Sequence, residues 1–553
     1  MKRSIVIVGG VAAGPKMAAK ARREDPDVPI TLVTDESVIS YAGCGTPYYL
    51  GRTFDQRDRL LVRTAEDFGQ KNRVDMLLGH RAVALDPAAH TVTIKELTSG
   101  QERVLEYGKL GLATGARPFV PPLAGLPAEG VFTLRSVTDA FAIDDYINLH
   151  NARRVVIVGA GYIGLELAEQ FRERHLEVTV VELMPQVMPR FDIPLACAVQ
   201  EELERLGVEV LLETRVDGIE TDHRQRVTGV RTSRGPLPAD LVILSIGVRP
   251  NVELAKEAGL SIGTTGAIWV DDHLRTSDPD IYAAGDCAEQ THLIDGQPTW
   301  IPLGSTANKQ GRVAAVNMTG GDEAFPGVLG TSLVRVGKLN VGGTGLTELA
   351  LRKGGWDYES VLVPQGDRPG YMPGAAEVTL ILHAERRTRK VLGAQLYGPG
   401  AIDKRVDVLA TAVTAGLTVD QVANLDLGYA PPFAPALDVV ITAANVLRSK
   451  LDHKTEGIMP HELAEQPQGE DRVVIDCREP AEWSQGHLPG ATLVPLGQLP
   501  QRAGEFADHG EVVVYCKGGL RSAEGYRHLK RAGCKNVKYL HGGVSGWCGP
   551  LSC

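Results

Sequence analysis

Apolar positions in this chain fall in short runs more often than in alternating ones. Ile5 to Val8, Ile30 to Val33, Val155 to Val158 and Val178 to Val181 are each apolar or nearly so. Such runs fit strands buried on both faces of a parallel sheet. The first run leads into GGVAAG (Gly9 to Gly14) and a predicted helix whose Ala18, Ala19 and Ala21 can lie on the sheet. The third leads into GAGYIG (Gly159 to Gly164) and the helical stretch LELAEQFRERH. Strand, glycines, helix and strand therefore occur twice. From about Gly330 the pattern changes to strands, GTSLVRVGKLNVGG and EVTLILHAE, and then to helices such as IDKRVDVLATAVTAG. LRSKLDHKTE (Leu447 to Glu456) is polar and charged, a linker or an exposed helix end. Beyond it, residues 457–553 suffice for a small α/β domain. A strand ends there in DCREPAEWSQGHLPGA, and VVVYCKGGLRSAEGYRHL reads as buried strand, loop and helix.

A length of 553 residues allows about three to four domains. The net charge of −10, with no long block of one sign, argues against a nucleic-acid surface. No run reaches the roughly 18 to 20 apolar residues that a membrane span needs. MKRSIVIVGG begins like a signal peptide, but its apolar run is short and breaks into glycines, as a first buried strand does. Eight cysteines, at 44, 197, 287, 477, 516, 534, 548 and 553, show neither metal spacing nor a disulfide framework. A cytoplasmic chain is expected, with thiols that serve chemistry or packing, and no metal site.

The glycine motifs point to dinucleotides. Gly9, Gly10 and Gly14 let the backbone approach a pyrophosphate at a helix N-terminus, although Val11 stands where a second motif glycine belongs. The next strand ends in Thr34 where a ribose-binding acid is usual, which leaves Asp35 for that contact. LGLATGARP, with Thr114 and Gly115, is the turn where this domain hands over to an inserted one. The insert's Gly159, Gly161 and Gly164 complete GxGxxG, and Glu182 ends the following strand 23 residues after the first glycine. A carboxylate there accepts from a ribose 2′-hydroxyl and repels a 2′-phosphate, so NADH is expected over NADPH. The late TSDPDIYAAGDCAE brings Gly285 and Asp286 to a loop, where an Asp can accept from the ribityl chain of FAD.

Two cysteines carry candidate redox chemistry. Cys44 lies at the centre of SVISYAGCGTPYYLG, about thirty residues after the first glycine motif. Flavin reductases that close an internal disulfide here use CxxxxC, and this chain has Tyr49 at the second position. A lone thiol must cycle through a mixed disulfide, a persulfide or a sulfenic acid. Cys516 tops a predicted strand and opens the loop CKGGLR, which ends at Arg521. Loop N–H groups at a helix N-terminus should lower its pKa and hold persulfide sulfur.

SYAGCGTPYYLG together with YAPPF (429 to 433) resembles the coenzyme A-disulfide reductase branch of single-cysteine flavoprotein reductases. DCREPAEW, GHLPGA, CKGGLRS and LHGGVSGW resemble a rhodanese domain. Their fusion is similar to the coenzyme A-disulfide reductase–rhodanese proteins, which include NADH-dependent persulfide and polysulfide reductases. The resemblance implies an α/β protein with two nested Rossmann-like FAD and NAD domains, an α+β dimerisation domain and a C-terminal α/β rhodanese domain. The expected divisions are FAD-binding 1–117 and 241–328, an NAD-binding insert 118–240, dimerisation 329–446, linker 447–456 and rhodanese 457–553. It also implies FAD, NADH, coenzyme A as substrate or ligand, and a homodimer. In such a dimer Tyr371 and Tyr429 would reach the other subunit's active site. Ser40 and Lys71 match positions lining a coenzyme A channel, and Lys20, Arg22 and Arg23 fall on the helix facing its phosphates. Gly43, Met372, Pro15, Lys16 and the stretch Ala434 to Asp438 depart from the family pattern. The rival readings are an NADH peroxidase or oxidase with a Cys44 sulfenic acid, and a non-enzymatic redox or sulfur sensor. The peroxidase branch normally has a histidine within the first glycine motif, and GGVAAG has none.

Overall fold

A computed structural model of the chain describes residues 4–466 and 471–552; Cys553 lies outside the described residues. The chain forms two compact units, Met1–Leu183 with Thr214–Gly330, and Met184–Glu213 with Thr331–Cys553.

In the first unit, a five-stranded parallel sheet runs in the order Ile281–Ala283, Lys109–Leu112, Ile5–Val8, Ile30–Val33 and Asp75–Leu77. Both of its faces are covered, which accounts for strands without alternation. One face packs on the helices Ala13–Glu24 and Gly304–Met318 through Met17, Ala18, Ala21, Ala314 and Met318. The other packs on Val92 and Ile94 from an antiparallel sheet of His80–Asp86, Thr91–Glu96 and Glu102–Glu106.

A second parallel sheet joins Glu177–Val181, Arg154–Val158, Leu241–Leu244 and Val131–Phe132. Leu241–Leu244 therefore belongs to the insert's sheet, past the expected boundary at 240. Its register against Arg154–Val158 could not be read from an apolar run alone. The crossing between the two nucleotide domains is a short antiparallel ladder of Ala116–Pro118 with Val248–Pro250. Thr114 Oγ1 donates to the Asn251 carbonyl at 2.7 Å and Asn251 Nδ2 donates to the Thr114 carbonyl at 2.8 Å, locking that crossing.

In the second unit, five antiparallel strands lie in the order Ser332–Val336, Leu339–Gly345, Val391–Gly398, Glu377–Glu385 and Tyr358–Gly366. The helix Ile193–Arg205, a segment of the insert by sequence, packs with this sheet. Its N-cap, buried Asp192, accepts from the Glu348 N–H at 2.9 Å and bonds His383 Nε2 at 2.9 Å. His383 Nδ1 in turn meets the Ser360 hydroxyl at 2.7 Å. A buried polar chain of this kind is stable only when its members are paired.

The C-terminal domain shares this unit. Its parallel sheet runs Gly457–Ile458, Val537–Leu540, Glu511–Tyr515, Arg472–Asp476 and Thr492–Leu493. The helix Val439–Leu451 continues into the expected linker, so the first half of that stretch is a helix end. Lys450 Nζ donates to the Ser360 carbonyl at 3.0 Å and pairs with Glu359 at 2.7 Å. A Cβ on Gly542 would come within 2.1 Å of Leu362, so the domain lies close against the strand Tyr358–Gly366.

Candidate active sites

The strand Ile5–Val8 ends at Gly9, whose φ of 120° favours glycine. A Cβ on Gly9 would lie 2.0 Å from the Ala113 carbonyl oxygen, and one on Gly14 would lie 1.9 Å from that of Gly9. Strand and helix can approach only because these two residues lack side chains. Thr34, the residue where a ribose acid is usual, is buried beside Gly10. Asp35 is exposed and paired with Arg81 at 3.1 Å.

Gly285, with φ 82°, donates its N–H to Gln310 Oε1 at 2.8 Å, while the buried Gln310 Nε2 has no partner within the protein. Half-buried Asp286 lies 3.5 Å from Arg135. Burial pushes the Asp286 carboxyl up and Arg135 opposes this. Glycine cradle, unpartnered amide and acidic loop fit an FAD, which Gly9, Gly10, Gly14, Gly285 and Asp286 would hold. Cys287 packs, its sulfur 3.4 Å from the Leu112 carbonyl.

The insert repeats the device. Gly159 has φ 105°, and a Cβ there would lie 2.4 Å from the Ser245 carbonyl. Around Gly161 nothing lies within 4 Å, which leaves its backbone open at the start of the helix Tyr162–Glu173. Glu182 is buried at the strand end, where its Oε2 accepts from the Ala160 N–H at 2.7 Å. The arrangement fits a dinucleotide with a free 2′-hydroxyl.

Cys44 sits in the turn Gly43–Gly45, just before the helix Thr46–Leu50. The residue is exposed, while surrounding protein, then Glu166 and Asp286, push the thiol pKa up; Arg135 pulls the other way. Glu166 lies on the insert's helix, and burial, then Glu169, raise its pKa to about 7. Position 49 is closed to disulfide chemistry. Tyr49 is fully buried, donates to Asp144 Oδ2 at 3.0 Å and meets Phe141 edge-on at 5.5 Å between centroids.

Cys516 follows the strand Glu511–Tyr515 and precedes the helix Leu520–Arg531, whose N-cap Gly519 has φ 117°. The Gly519 N–H donates to its sulfur at 3.1 Å and the Ser522 hydroxyl lies 3.6 Å away. A hydrogen bond from the Cys477 thiol, helped by Ser522 and Gly519 and opposed by burial, lowers the Cys516 pKa to about 5. Arg521 is held by two bonds to Glu482, at 2.6 and 2.7 Å. The fixed cation expected beside the loop is thus one half of an ion pair.

Comparison with known proteins decides the family. A model described as pyridine nucleotide-disulphide oxidoreductase matches residues 3–311, and the family's dimerisation domain matches 331–440. The chain belongs to the pyridine nucleotide-disulphide oxidoreductases. A rhodanese-like domain matches 459–549. Similar proteins include an NAD(P)H coenzyme A polysulfide/persulfide reductase of Pyrococcus horikoshii, 36% identical over 81% of this chain and 99% of that protein. The reduced CoADR-RHD of Bacillus anthracis superposes with a TM-score of 0.94 at 37% identity, covering 99% of this chain and 98% of that one. A NAD-dependent persulfide reductase from A. fulgidus gives 0.92 at 41% identity, covering 98% and 100%. The fold read from the motifs is borne out, and family membership brings FAD and NAD(P)H with it.

In this oxidoreductase the residues matched to a coenzyme A site fall in several settings. Arg22 donates to the carbonyls of Asn72, Pro26 and Arg73 at 2.9, 2.7 and 2.8 Å, stapling the ends of the helices Ala13–Glu24 and Ala65–Asn72. Lys20 pairs with Glu24. Arg23 and Lys71 are exposed, and Ser40, at φ 47°, donates its N–H to the Gly10 carbonyl at 3.0 Å. Tyr371 and Tyr429 belong to the second unit, where both are exposed, as are Phe433 and Leu437. Sequence reasoning missed Glu166, Arg135, Glu482 and Cys477. Glu166 follows directly on GYIGL, yet its approach to Cys44 depends on how the insert folds back. Cys477 was visible in DCRE, but its neighbour depends on strand register. No described helix is long and apolar enough to cross a membrane.

Proposed function

We propose that this chain is a cytoplasmic, homodimeric, NADH-driven reductase of coenzyme A persulfide, polysulfide or coenzyme A disulfide, joined to a sulfurtransferase centred on Cys516. The observation that carries the reading is the lone thiol of Cys44, whose would-be partner position holds a tyrosine buried and bonded to Asp144. The relatives' names supply the substrate class. Bound FAD would relay two electrons from NADH to sulfur.

The Cys44 thiolate attacks a substrate sulfur and releases a thiolate or hydrosulfide. It is left in a mixed disulfide or persulfide, which two-electron reduction clears. Glu166, titrating near 7, holds a proton close to this exchange, and Arg135 favours the thiolate. Glu182 selects the 2′-hydroxyl of NADH. Tyr371 and Tyr429 are exposed as residues meeting another subunit would be. Arg23 and Lys71 offer charge for coenzyme A phosphates.

Steady NADH oxidation by the purified dimer tests the reading. Coenzyme A persulfide and coenzyme A disulfide should sustain turnover well above the rate with oxygen or peroxide. Turnover with peroxide or oxygen alone would replace it with the oxidase reading, and no turnover with any acceptor would favour the sensor.

A further inference from the structure

Of the described cysteines outside the chemistry above, Cys287 and Cys534 are buried and Cys197 and Cys548 act on each other, whereas Cys477 stands beside the loop of Cys516. The strands Arg472–Asp476 and Glu511–Tyr515 are parallel neighbours, and Asp476 is the register partner of Tyr515. Cys477 and Cys516 are each the next residue along. The Cys477 N–H donates to the Tyr515 carbonyl at 2.9 Å, so pairing persists to the very step where both thiols leave the strands. Adjacent strands lie about 4.8 Å apart. A disulfide spans Cα separations of about 4.4 to 6.8 Å, so the backbone already meets its requirement. Both side chains are buried in one core cluster, with relative exposures of 0% and 2%.

This placement gives Cys477 one reachable partner. Cys516 opens the loop CKGGLR, and Cys477 stands beside it at the paired end of the neighbouring strand. While Cys516 is a thiolate, its charge keeps the Cys477 proton in place and the Cys477 pKa high. Once Cys516 carries a second sulfur, the negative charge moves outward to that sulfur, and the restraint on Cys477 weakens.

We propose that Cys477 is the resolving thiol of the Cys516 site, converting a stalled Cys516 persulfide into hydrosulfide and a Cys477–Cys516 disulfide. The proposal rests on the reading of Cys516 as a sulfur carrier. In the step, Cys477 sulfur attacks the Cys516 Sγ and a new S–S bond forms. The bond from Sγ to the outer sulfur breaks and takes its electron pair with it. The outer sulfur leaves as hydrosulfide, reduced by two electrons, and the Cys477 proton leaves with it or passes to solvent. The two cysteines are oxidised by the same two electrons. A dithiol reductant then restores both thiols. The same pair resolves a Cys516 sulfenic acid, with water as the leaving group.

The test loads the full-length holoenzyme with thiosulfate in the absence of NADH and of any small thiol. Released sulfide is measured, and peptides are mapped without reduction. Wild type should release about one sulfide per chain and yield a peptide linking Cys477 to Cys516. C477S, which keeps the size and the hydrogen bond, should keep one extra sulfur on Cys516 and release at least tenfold less sulfide. A wild-type protein that holds its Cys516 persulfide beside a free Cys477 overturns the proposal, as does equal sulfide release from C477S. A parallel arm with hydrogen peroxide separates this from failure of the carrier reading. If thiosulfate loads no sulfur, that reading falls, while the peroxide arm still decides the pair. A linked peptide supports it, and Cys516 oxidised to sulfinic acid beside free Cys477 overturns it.

Discussion

Cys44 and Cys516 are both meant to attack sulfur, and their surroundings are opposite in sign. Cys44 is exposed as a residue, yet the protein around its thiol, then Glu166 and Asp286, push its pKa up, with Arg135 opposing them. Cys516 is buried but receives bonds from Cys477, Ser522 and Gly519, and its pKa falls to about 5. Exposure therefore does not rank these thiols; the donors within reach of each sulfur do. A pKa of about 5 would keep Cys516 a thiolate at neutral pH, whereas the Cys44 thiol answers first to its burial and then to the carboxylates near it.

The contrast can be broken most directly by removing each sulfur. Cys44→Ser should still bind FAD and be reduced by NADH. Its NADH-driven persulfide reduction should fall on the order of a thousandfold, while thiosulfate sulfurtransfer stays near wild type. Cys516→Ser should show the reverse, losing sulfurtransfer by a similar factor and reducing a ready-made small persulfide nearly normally. Equal loss of both activities in either variant would mean one shared site. A test of smaller expected size concerns the nucleotide that feeds Cys44 alone. kcat/KM for NADH should exceed that for NADPH by at least roughly tenfold, or ~1.4 kcal/mol, because Glu182 repels a 2′-phosphate. A preference for NADPH would remove Glu182 from that role.

The pH dependence of alkylation sharpens the comparison further. Iodoacetamide labelling of Cys516, followed by peptide mapping, should rise through a midpoint near 5, since its thiolate persists down to that pH. Labelling of Cys44 should rise only above the ordinary thiol range. The smallest effect expected is that of Glu166→Gln. Above pH 7 the native carboxylate is ionised and opposes the Cys44 thiolate, so its removal should speed Cys44 labelling a few-fold. Below pH 7 Glu166 is already protonated and the variant should match wild type. Acceleration on the acid side instead would place the effect elsewhere.

The nested nucleotide domains were legible because glycine spacing, apolar runs and a strand-end acid are local signals. GAGYIG followed by Glu182 needed nothing beyond some twenty-five residues of context. Partnerships were not legible. Arg22 looks like a surface cation in AKARRE, and only the approach of Asn72 and Arg73 turns it into a staple. Arg521 looks like a free charge until Glu482, from the short helix Pro480–Trp483 after DCRE, arrives to meet it. The helix Ile193–Arg205 reads as part of the insert, yet Asp192 ties it to His383, 191 residues away. Register and long-range pairing are set by packing, which a linear pattern leaves open.

The joint beyond Leu451 has a bearing on how sulfur travels. With Lys450 bound to Ser360 and Glu359, and Gly542 pressed on Leu362, the domain that carries Cys516 is fastened to the strand Tyr358–Gly366. A tethered carrier would hold its cargo at a fixed high effective concentration, as a mobile lipoyl or biotinyl arm does. On the sulfurtransferase reading proposed above, sulfur loaded on Cys516 would leave on a small diffusing thiol, whose supply would then set the pace of the fused protein.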